Sequence, residues 1–301
     1  MRNSSRSHSP DEPRNREQLT RLRNHINRVA VEFGPRNLFH YDTLQQTASY
    51  LQHCFAELGY DPVLQEYPAR GKTFVNISAE RAGHSRRNEI IVIGAHYDTH
   101  KNSPGANDNG SAIASLLELG RHFANSELPR TLRFVAFTNE ETPFTRTKDM
   151  GSRVYARACR ERHENIVGML CLETIGYCSE DPGSQRLSLG GLLLPRRGNF
   201  LALIGNRPSR PFLRKTAAIL QREASFQVRA MTLPSYLPGA WSSDQWSFWK
   251  EGFPALMATD TAPLRYRHYH APTDTPDKIA FEWLSAVVDA LRTLLRRLAA
   301  E

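Results

Sequence analysis

Apolar residues recur at helical spacing twice before any strand-like segment appears. Leu22, Ile26, Val29, Ala30 and Phe33 mark one helix over 18–33, and Leu44, Leu51, Cys54, Phe55 and Leu58 a second over 41–58, with Gly59 as its stop. The pattern then predicts strands at 62–67, 73–79 and 89–95. In the third, Ile90, Ile91, Val92 and Ile93 are apolar without alternation, as a strand covered on both faces requires. That run breaks at Gly94 into His96 and Asp98. A turn rich in Pro, Gly and Asn follows over 104–109, and Ser111, Ala112, Ala114, Leu116, Leu117, Leu119 and Phe123 predict a helix with Asp108 at its start.

The same arrangement recurs downstream. TLRFVAFT, 131–138, predicts a strand that runs directly into Asn139, Glu140 and Glu141, and IVGMLCL, 166–172, predicts another that delivers Glu173. Residues 178–198 have loop composition. Further strands are expected at 200–204 and 254–259, helices at 211–224, 243–249 and 281–298, and an irregular stretch at 231–241. Between the last strand and the closing helix lie His268, Tyr269, His270, Ala271, Pro272, Thr273 and Asp274. Strands alternating with helices define an α/β class, and in open α/β sheets sites form beyond the carboxyl ends of strands. No internal repeat or linker divides residues 16–301, which are expected to form one domain. Residues 1–15 lack apolar periodicity and are expected to be a disordered tail.

Composition narrows the function without choosing it. A chain of 301 residues with 40% hydrophobic content can bury roughly three quarters of its unfolded surface and needs no staple to fold. Cys54, Cys159, Cys171 and Cys178 show no CxxC spacing, which fits reduced thiols and a reducing compartment. The first twenty residues are polar and Arg-rich, with no signal-peptide core, and no later apolar run reaches the 18 or so residues of a membrane span. A cytoplasmic protein with no membrane contact is the expectation. The net charge of +8 is scattered among 31 acids rather than clustered, so nucleic acid is not expected as a partner. Nothing in the sequence sets an oligomeric state.

The candidate chemistry lies at the strand ends. His96, Asp108, Glu141, Glu173 and His270 combine imidazole with carboxylate, the donor mixture suited to zinc. Five ligands exceed the three protein ligands of one catalytic zinc, so two ions sharing a carboxylate, with a water activated between them, fit better. Glu140, next to a ligand but facing the other way in an extended segment, has the position of a general base. Asp98, two residues past His96, is placed to accept that ring's other N–H and fix its tautomer.

At these residues the chain resembles the M28 co-catalytic zinc aminopeptidases: HYDT at 96–99, GANDNGSA at 105–112, NEE at 139–141, LETIGY at 172–177 and YHAPTDTPDKI at 269–279. The resemblance runs from about Phe39 to the C-terminus. It implies a three-layer α/β/α fold with a mixed, mostly parallel central sheet and two zinc ions per chain. His96 and Glu173 would bind one ion, Glu141 and His270 the other, and Asp108 would bridge them through a residue followed by a cis peptide bond. Glu140 matches the family's general base and Asp98 its partner to the first histidine. The implied activity is release of N-terminal amino acids from peptides or small aminoacyl substrates.

Glu173 stands where many members carry Asp, and Gln245 in SSDQWSFW where similar sequences often carry His, at a position that is not a metal ligand. Two alternatives share the motif order. A single-zinc glutaminyl cyclase typically reads DGEE where this chain has TNEE, and a non-catalytic binding module would be expected to lose ligands that are all present here. An aminopeptidase must also receive a free α-amine, for which Glu140 and Glu173 are candidates. Its side-chain pocket is expected from 178–198 and from the stretch holding Tyr236, Trp241, Trp246 and Phe248, which favours an apolar first residue. Tyr269, next to His270, is within reach of a transition-state oxyanion but is read first as a packing residue.

Overall fold

Ile91, Ile93 and Ala95 point to one side of a central strand and Ile90 and Val92 to the other, and each set joins a different hydrophobic core. That is the physical meaning of the unbroken apolar run: helices cover both faces. The computed structural model describes residues 11–186, 195–234 and 243–301. In chain order the elements are α1 (Asp11–Asn27), α2 (Tyr41–Glu57), β1 (Val63–Ala69), β2 (Lys72–Arg81), β3 (Arg86–His96), α3 (Ala112–Phe123), β4 (Arg130–Phe137), α4 (Gly151–Glu161), β5 (Asn165–Glu173), β6 (Phe200–Gly205), α5 (Arg210–Glu223), β7 (Gln227–Thr232), α6 (Gln245–Lys250), β8 (Ala255–Thr259), α7 (Ala262–Arg265) and α8 (Phe281–Ala300).

The strands form one sheet in the order β1-β2-β4-β3-β5-β8-β6-β7. β4, β3, β5 and β8 are mutually parallel, with Ile93 opposite Phe134 and Leu170, and Met169 opposite Ala255. β1, β2 and β6 join antiparallel to their inner neighbours, and β7 runs parallel to β6 at the edge. One face packs against α1, α2, α3, α5 and α8 through residues such as Leu22, Leu51, Leu117, Leu220 and Leu291. The other packs against Tyr155 and Cys159 of α4 and Phe248 of α6. The result is the three-layer α/β/α arrangement with a mixed sheet, and its four parallel strands deliver their carboxyl ends to one pole.

Several boundaries differ from the sequence pattern, each for a tertiary reason. α1 begins at Asp11, so residues 11–15 belong to a helix and not to the expected tail; residues 1–10 lie outside the described residues. The early turns are docked on α8, where Gln18 Nε2 donates to Ser285 Oγ at 2.9 Å and Ser285 Oγ donates to Asn15 Oδ1 at 2.9 Å. α4 went unpredicted because only Tyr155, Ala156 and Cys159 of its arginine-rich sequence make the apolar stripe. β7 has no counterpart in the sequence pattern, and its last two residues fall in the stretch expected to be irregular, since Val228 alone is buried in it; pairing with β6 makes it a strand. All four cysteines are free thiols, three of them buried. Among the described residues, no helix is long and apolar enough to cross a membrane.

Candidate active site

β3 ends at His96, β4 at Phe137 just ahead of Glu140 and Glu141, and β5 at Glu173, so three adjacent parallel strands open onto one crevice. Asp108 enters it from the turn before α3, and His270 from the loop after α7. Gly105 makes that turn possible. Its φ is +65°, and a Cβ there would stand 2.4 Å from Thr99 Cγ2 and 2.5 Å from the Asp108 carbonyl oxygen.

The Asn-Asp-Asn sequence at 107–109 is explained by what its amides hold. Asn107 Oδ1 accepts the Gly176 N–H at 2.9 Å and its Nδ2 donates to Asp260 Oδ2 at 3.0 Å. Asn109 Nδ2 donates to the Leu172 carbonyl at 2.9 Å, and its Oδ1 accepts the Thr174 N–H at 2.9 Å. Two amides thus lock the Asp108 turn to the segment around Glu173. The Asp108–Asn109 peptide bond is cis. Beneath the turn, Asp274 accepts the N–H of Asn107 at 2.9 Å and that of Asp108 at 3.0 Å, and its Oδ1 also accepts the Tyr266 hydroxyl at 2.6 Å.

The five candidate ligands fall into two overlapping groups, His96 with Asp108 and Glu173, and Asp108 with Glu141 and His270; within each, the donor atoms lie within 4.8 Å of one another. Asp108 belongs to both. Its Oδ1 is 3.4 Å from His96 Nε2, and its Oδ2 is 3.1 Å from His270 Nε2. Glu173 Oε2 is 3.4 Å from His96 Nε2, and Glu141 Oε1 is 3.2 Å from His270 Nε2. Glu140 diverges from its neighbour, with Oε2 3.9 Å from His96 Nε2.

Asp98 stands beside His96 in two ways. His96 Nδ1 lies 3.1 Å from the Asp98 backbone carbonyl and 3.5 Å from Oδ1, so the closer partner is the main chain. The Asp98 carboxylate also accepts the consecutive N–H groups of Glu140 and Glu141, each at 3.0 Å. These bonds, and a left-handed Asn139 (φ 58°), fix the backbone that carries both acids.

Several polar atoms of this crevice lack a protein hydrogen bond. His96 Nε2, both carboxylate oxygens of Asp108, Glu140 Oε1 and Glu141 Oε1 are buried without hydrogen-bond partners among the described residues. Burial, reinforced by Asp108, pushes Glu141 up to about 7, and burial with Glu173 and Glu141 nearby pushes Glu140 well above the carboxylate range. Against burial, the Asp108 and Glu141 carboxylates, 3.1 and 3.2 Å from its Nε2, hold His270 up at about 10. Orphaned imidazole and carboxylate atoms crowded together are what divalent cations satisfy, and an N/O donor set of this kind suits zinc.

Ser243, Asp244 and Arg36 stand around the site without having been singled out along the chain, whereas Gln245 had been. Ser243 Oγ donates to Glu173 Oε2 at 2.5 Å, and next to it Asp244 is fully buried and pushed up to about 7 by burial. Gln245 is buried at the start of α6. Arg36, fully buried, donates to the carbonyls of Tyr97 at 2.6 Å, Val29 at 3.0 Å, Pro104 at 2.7 Å and Gly105 at 3.0 Å, tying the His96 strand end to the Asp108 turn. A Pro-Arg-Asn at 35–37 after Gly34 was the available clue. Of the expected pocket residues, Phe248 is packed against Phe137 and Phe253 in the core rather than at a pocket wall, and Trp246 is partly buried. Tyr236 and Trp241 lie outside the described residues.

Parallel strand ends carrying paired imidazole–carboxylate groups make an α/β protein with a candidate metal centre, and comparison with known proteins gives its class, a metal-dependent peptidase, and its family. The model of peptidase family M28 matches residues 76–295, and the chain belongs to that family. It is 36% identical over 272 residues to uncharacterized protein YfbL of Escherichia coli strain K12, covering 87% of this chain and 82% of that one. The solved structure of BSAP, a zinc aminopeptidase from Bacillus subtilis, superposes with a TM-score of 0.74 over 94% of this chain and 95% of that chain, at 14% identity. The glutaminyl cyclase of Tannerella forsythia superposes with a TM-score of 0.68 over 92% and 98%, at 17% identity.

Proposed function

We propose that this chain is an aminopeptidase that releases N-terminal amino acids from peptides or small aminoacyl compounds. His96, Asp108 and Glu173 would hold one zinc ion, and Asp108, Glu141 and His270 a second. The observation that carries this reading is the Asp108 carboxylate, whose two oxygens face different histidines at 3.4 and 3.1 Å. Bound there, such ions lower the pKa of water and polarise a scissile carbonyl.

The chain's own groups supply the rest. Glu140 accepts the proton of the attacking water and returns it to the departing amine; its burial, which raises its proton affinity, suits a group that must hold a proton between steps. Asp98 acts through the main chain, keeping Glu140 and Glu141 at fixed positions. Asp274 does the same for Asp108. The free α-amine is received by Glu140 and Glu173. Four free thiols support a reducing, cytoplasmic setting.

A single-zinc glutaminyl cyclase is the second reading, favoured by the fold shared with the Tannerella forsythia enzyme. Elemental analysis of purified protein, together with a panel of aminoacyl anilides and an N-terminal glutaminyl peptide, separates the two. Two zinc per chain with chelator-sensitive release of amino acid is the expected result. One zinc, no release and loss of ammonia from the glutaminyl peptide would replace the aminopeptidase with the cyclase.

A further inference from the structure

The two histidines of the site are oriented by different means. His96 is buried on a strand end and bonds through Nδ1 to a backbone carbonyl at 3.1 Å. His270 sits on a loop in a left-handed conformation (φ 58°), with its side chain 34% exposed. Among the described residues its polar contacts run through Nε2, to Asp108 and Glu141. The rest of its ring meets aromatic faces. Tyr269 stacks on it with centroids 3.9 Å apart and planes 19° off parallel, and His100 with centroids 4.5 Å apart and planes 9° off parallel.

His100 is itself held in place. Asn37 Nδ2 donates to the carbonyls of Thr99 at 3.1 Å, His100 at 3.4 Å and Lys101 at 3.2 Å. The Thr99 N–H donates to the Arg36 carbonyl at 2.9 Å, and the Arg36 N–H to Thr99 Oγ1 at 3.1 Å. The Ser103 N–H closes the turn onto the His100 carbonyl at 3.0 Å. The backbone under His100 is therefore fixed by residues far from it in sequence, while its Nδ1 is buried with no partner among the described residues. The ring's face is the part in use.

We infer that His100 is a positioning residue for the second ion of the proposed pair: its ring, carried on a fixed backbone and stacked on His270, sets the plane of the His270 imidazole and so aims Nε2 between Asp108 and Glu141. Ligating histidines are ordinarily oriented by a hydrogen bond on the other ring nitrogen. Here a flat neighbour takes over that task for the more exposed of the two histidines. The inference rests on the two-ion reading above, and occupancy of the second group then depends on an aromatic ring at position 100.

The test is zinc titration of chelator-stripped protein, followed by native mass spectrometry and calorimetry, on wild type, His100→Ala and His100→Phe. Wild type is expected to take up two ions. His100→Ala should bind the first as wild type does and the second about 10- to 100-fold more weakly, the usual effect of removing an outer partner of a ligand. His100→Phe, which keeps the ring face and removes the nitrogens, should bind the second ion within a few-fold of wild type. Two ions held equally tightly in His100→Ala, or a Phe variant as weak as the Ala variant, overturns the inference and leaves the two-ion reading standing. A wild-type protein that accepts only one ion overturns both.

Discussion

The two halves of the candidate site show how one fold can hold similar donors with unequal rigidity. The His96 half is built on strand ends: His96 terminates β3, Glu173 terminates β5, and parallel pairing with β4 and β8 braces them on both sides. The His270 half is built on loops, with Glu141 after the left-handed Asn139 and His270 itself left-handed. In the first half a backbone carbonyl orients the imidazole; in the second, stacked rings do. Only Asp108 is common to both, and it is the most elaborately held, by Asp274 below and by the flanking asparagine amides. A strand end carries a ligand at little cost because its backbone bonds are already made. A loop must be fixed by side chains, and those side chains become part of the machinery.

Changes that ignore the distinction between the halves should have the largest effects. Asp108→Ala removes the shared carboxylate and should abolish uptake of both ions and all measurable peptide release; elemental analysis showing two tightly bound ions in this variant would refute the bridge. Glu140→Gln leaves every proposed ligand in place, so it should retain two ions while lowering kcat by about 100- to 10,000-fold, the usual contribution of a general base. Ordinary turnover in that variant would remove Glu140 from the reaction.

A matched pair sharpens the comparison. Asp274→Ala and Asp98→Ala each strip the acceptor from two consecutive buried N–H groups and should destabilise the protein by about 2 to 4 kcal/mol in urea unfolding. Their metal phenotypes should differ. Asp274 supports the shared Asp108, so its loss should weaken both ions, whereas loss of Asp98 should weaken chiefly the ion on the Glu141 side, by about 10- to 100-fold. Identical metal affinities in the two variants would mean that the halves are not independently supported.

The smallest effect is a pH dependence. In the metal-free protein His270 is held up at about 10 and Glu141 at about 7, so below those values a proton occupies each group. An ion must displace these protons, and its affinity should rise with pH, by roughly tenfold per unit for each proton released, flattening as pH approaches 10. Calorimetry in buffers of different ionisation enthalpy measures the protons released. Affinity independent of pH between 6 and 8 would contradict the coupling.

Much of the site was legible along the chain because burial leaves a local trace. Four consecutive apolar residues ahead of His96, and similar runs ahead of Glu140 and Glu173, mark strands covered on both faces and therefore point to their carboxyl ends. α4 and β7 were not legible, since an arginine-rich stripe and an edge strand with one buried residue look like surface. Arg36 left only the faint trace of a Pro-Arg-Asn turn, for a different reason. Its partners are carbonyl oxygens, which every residue possesses, so no pairing of side-chain types announces it. Phe248 misled in the opposite sense: an aromatic near a site is compatible with a pocket wall or a core, and only packing against Phe137 distinguishes them.

Local pattern was thus enough to assign most strands and helices and to nominate the imidazoles and carboxylates, because periodicity reports which face of an element is buried. The strand order β4-β3-β5-β8, the division of the donors into two groups, the use of both oxygens of Asp108, and the engagement of the Asp98 carboxylate with the main chain were decided in three dimensions. Those features depend on distances between residues as far apart as His96 and His270. Such distances are set by how all the layers pack together, and no single segment of the chain contains them.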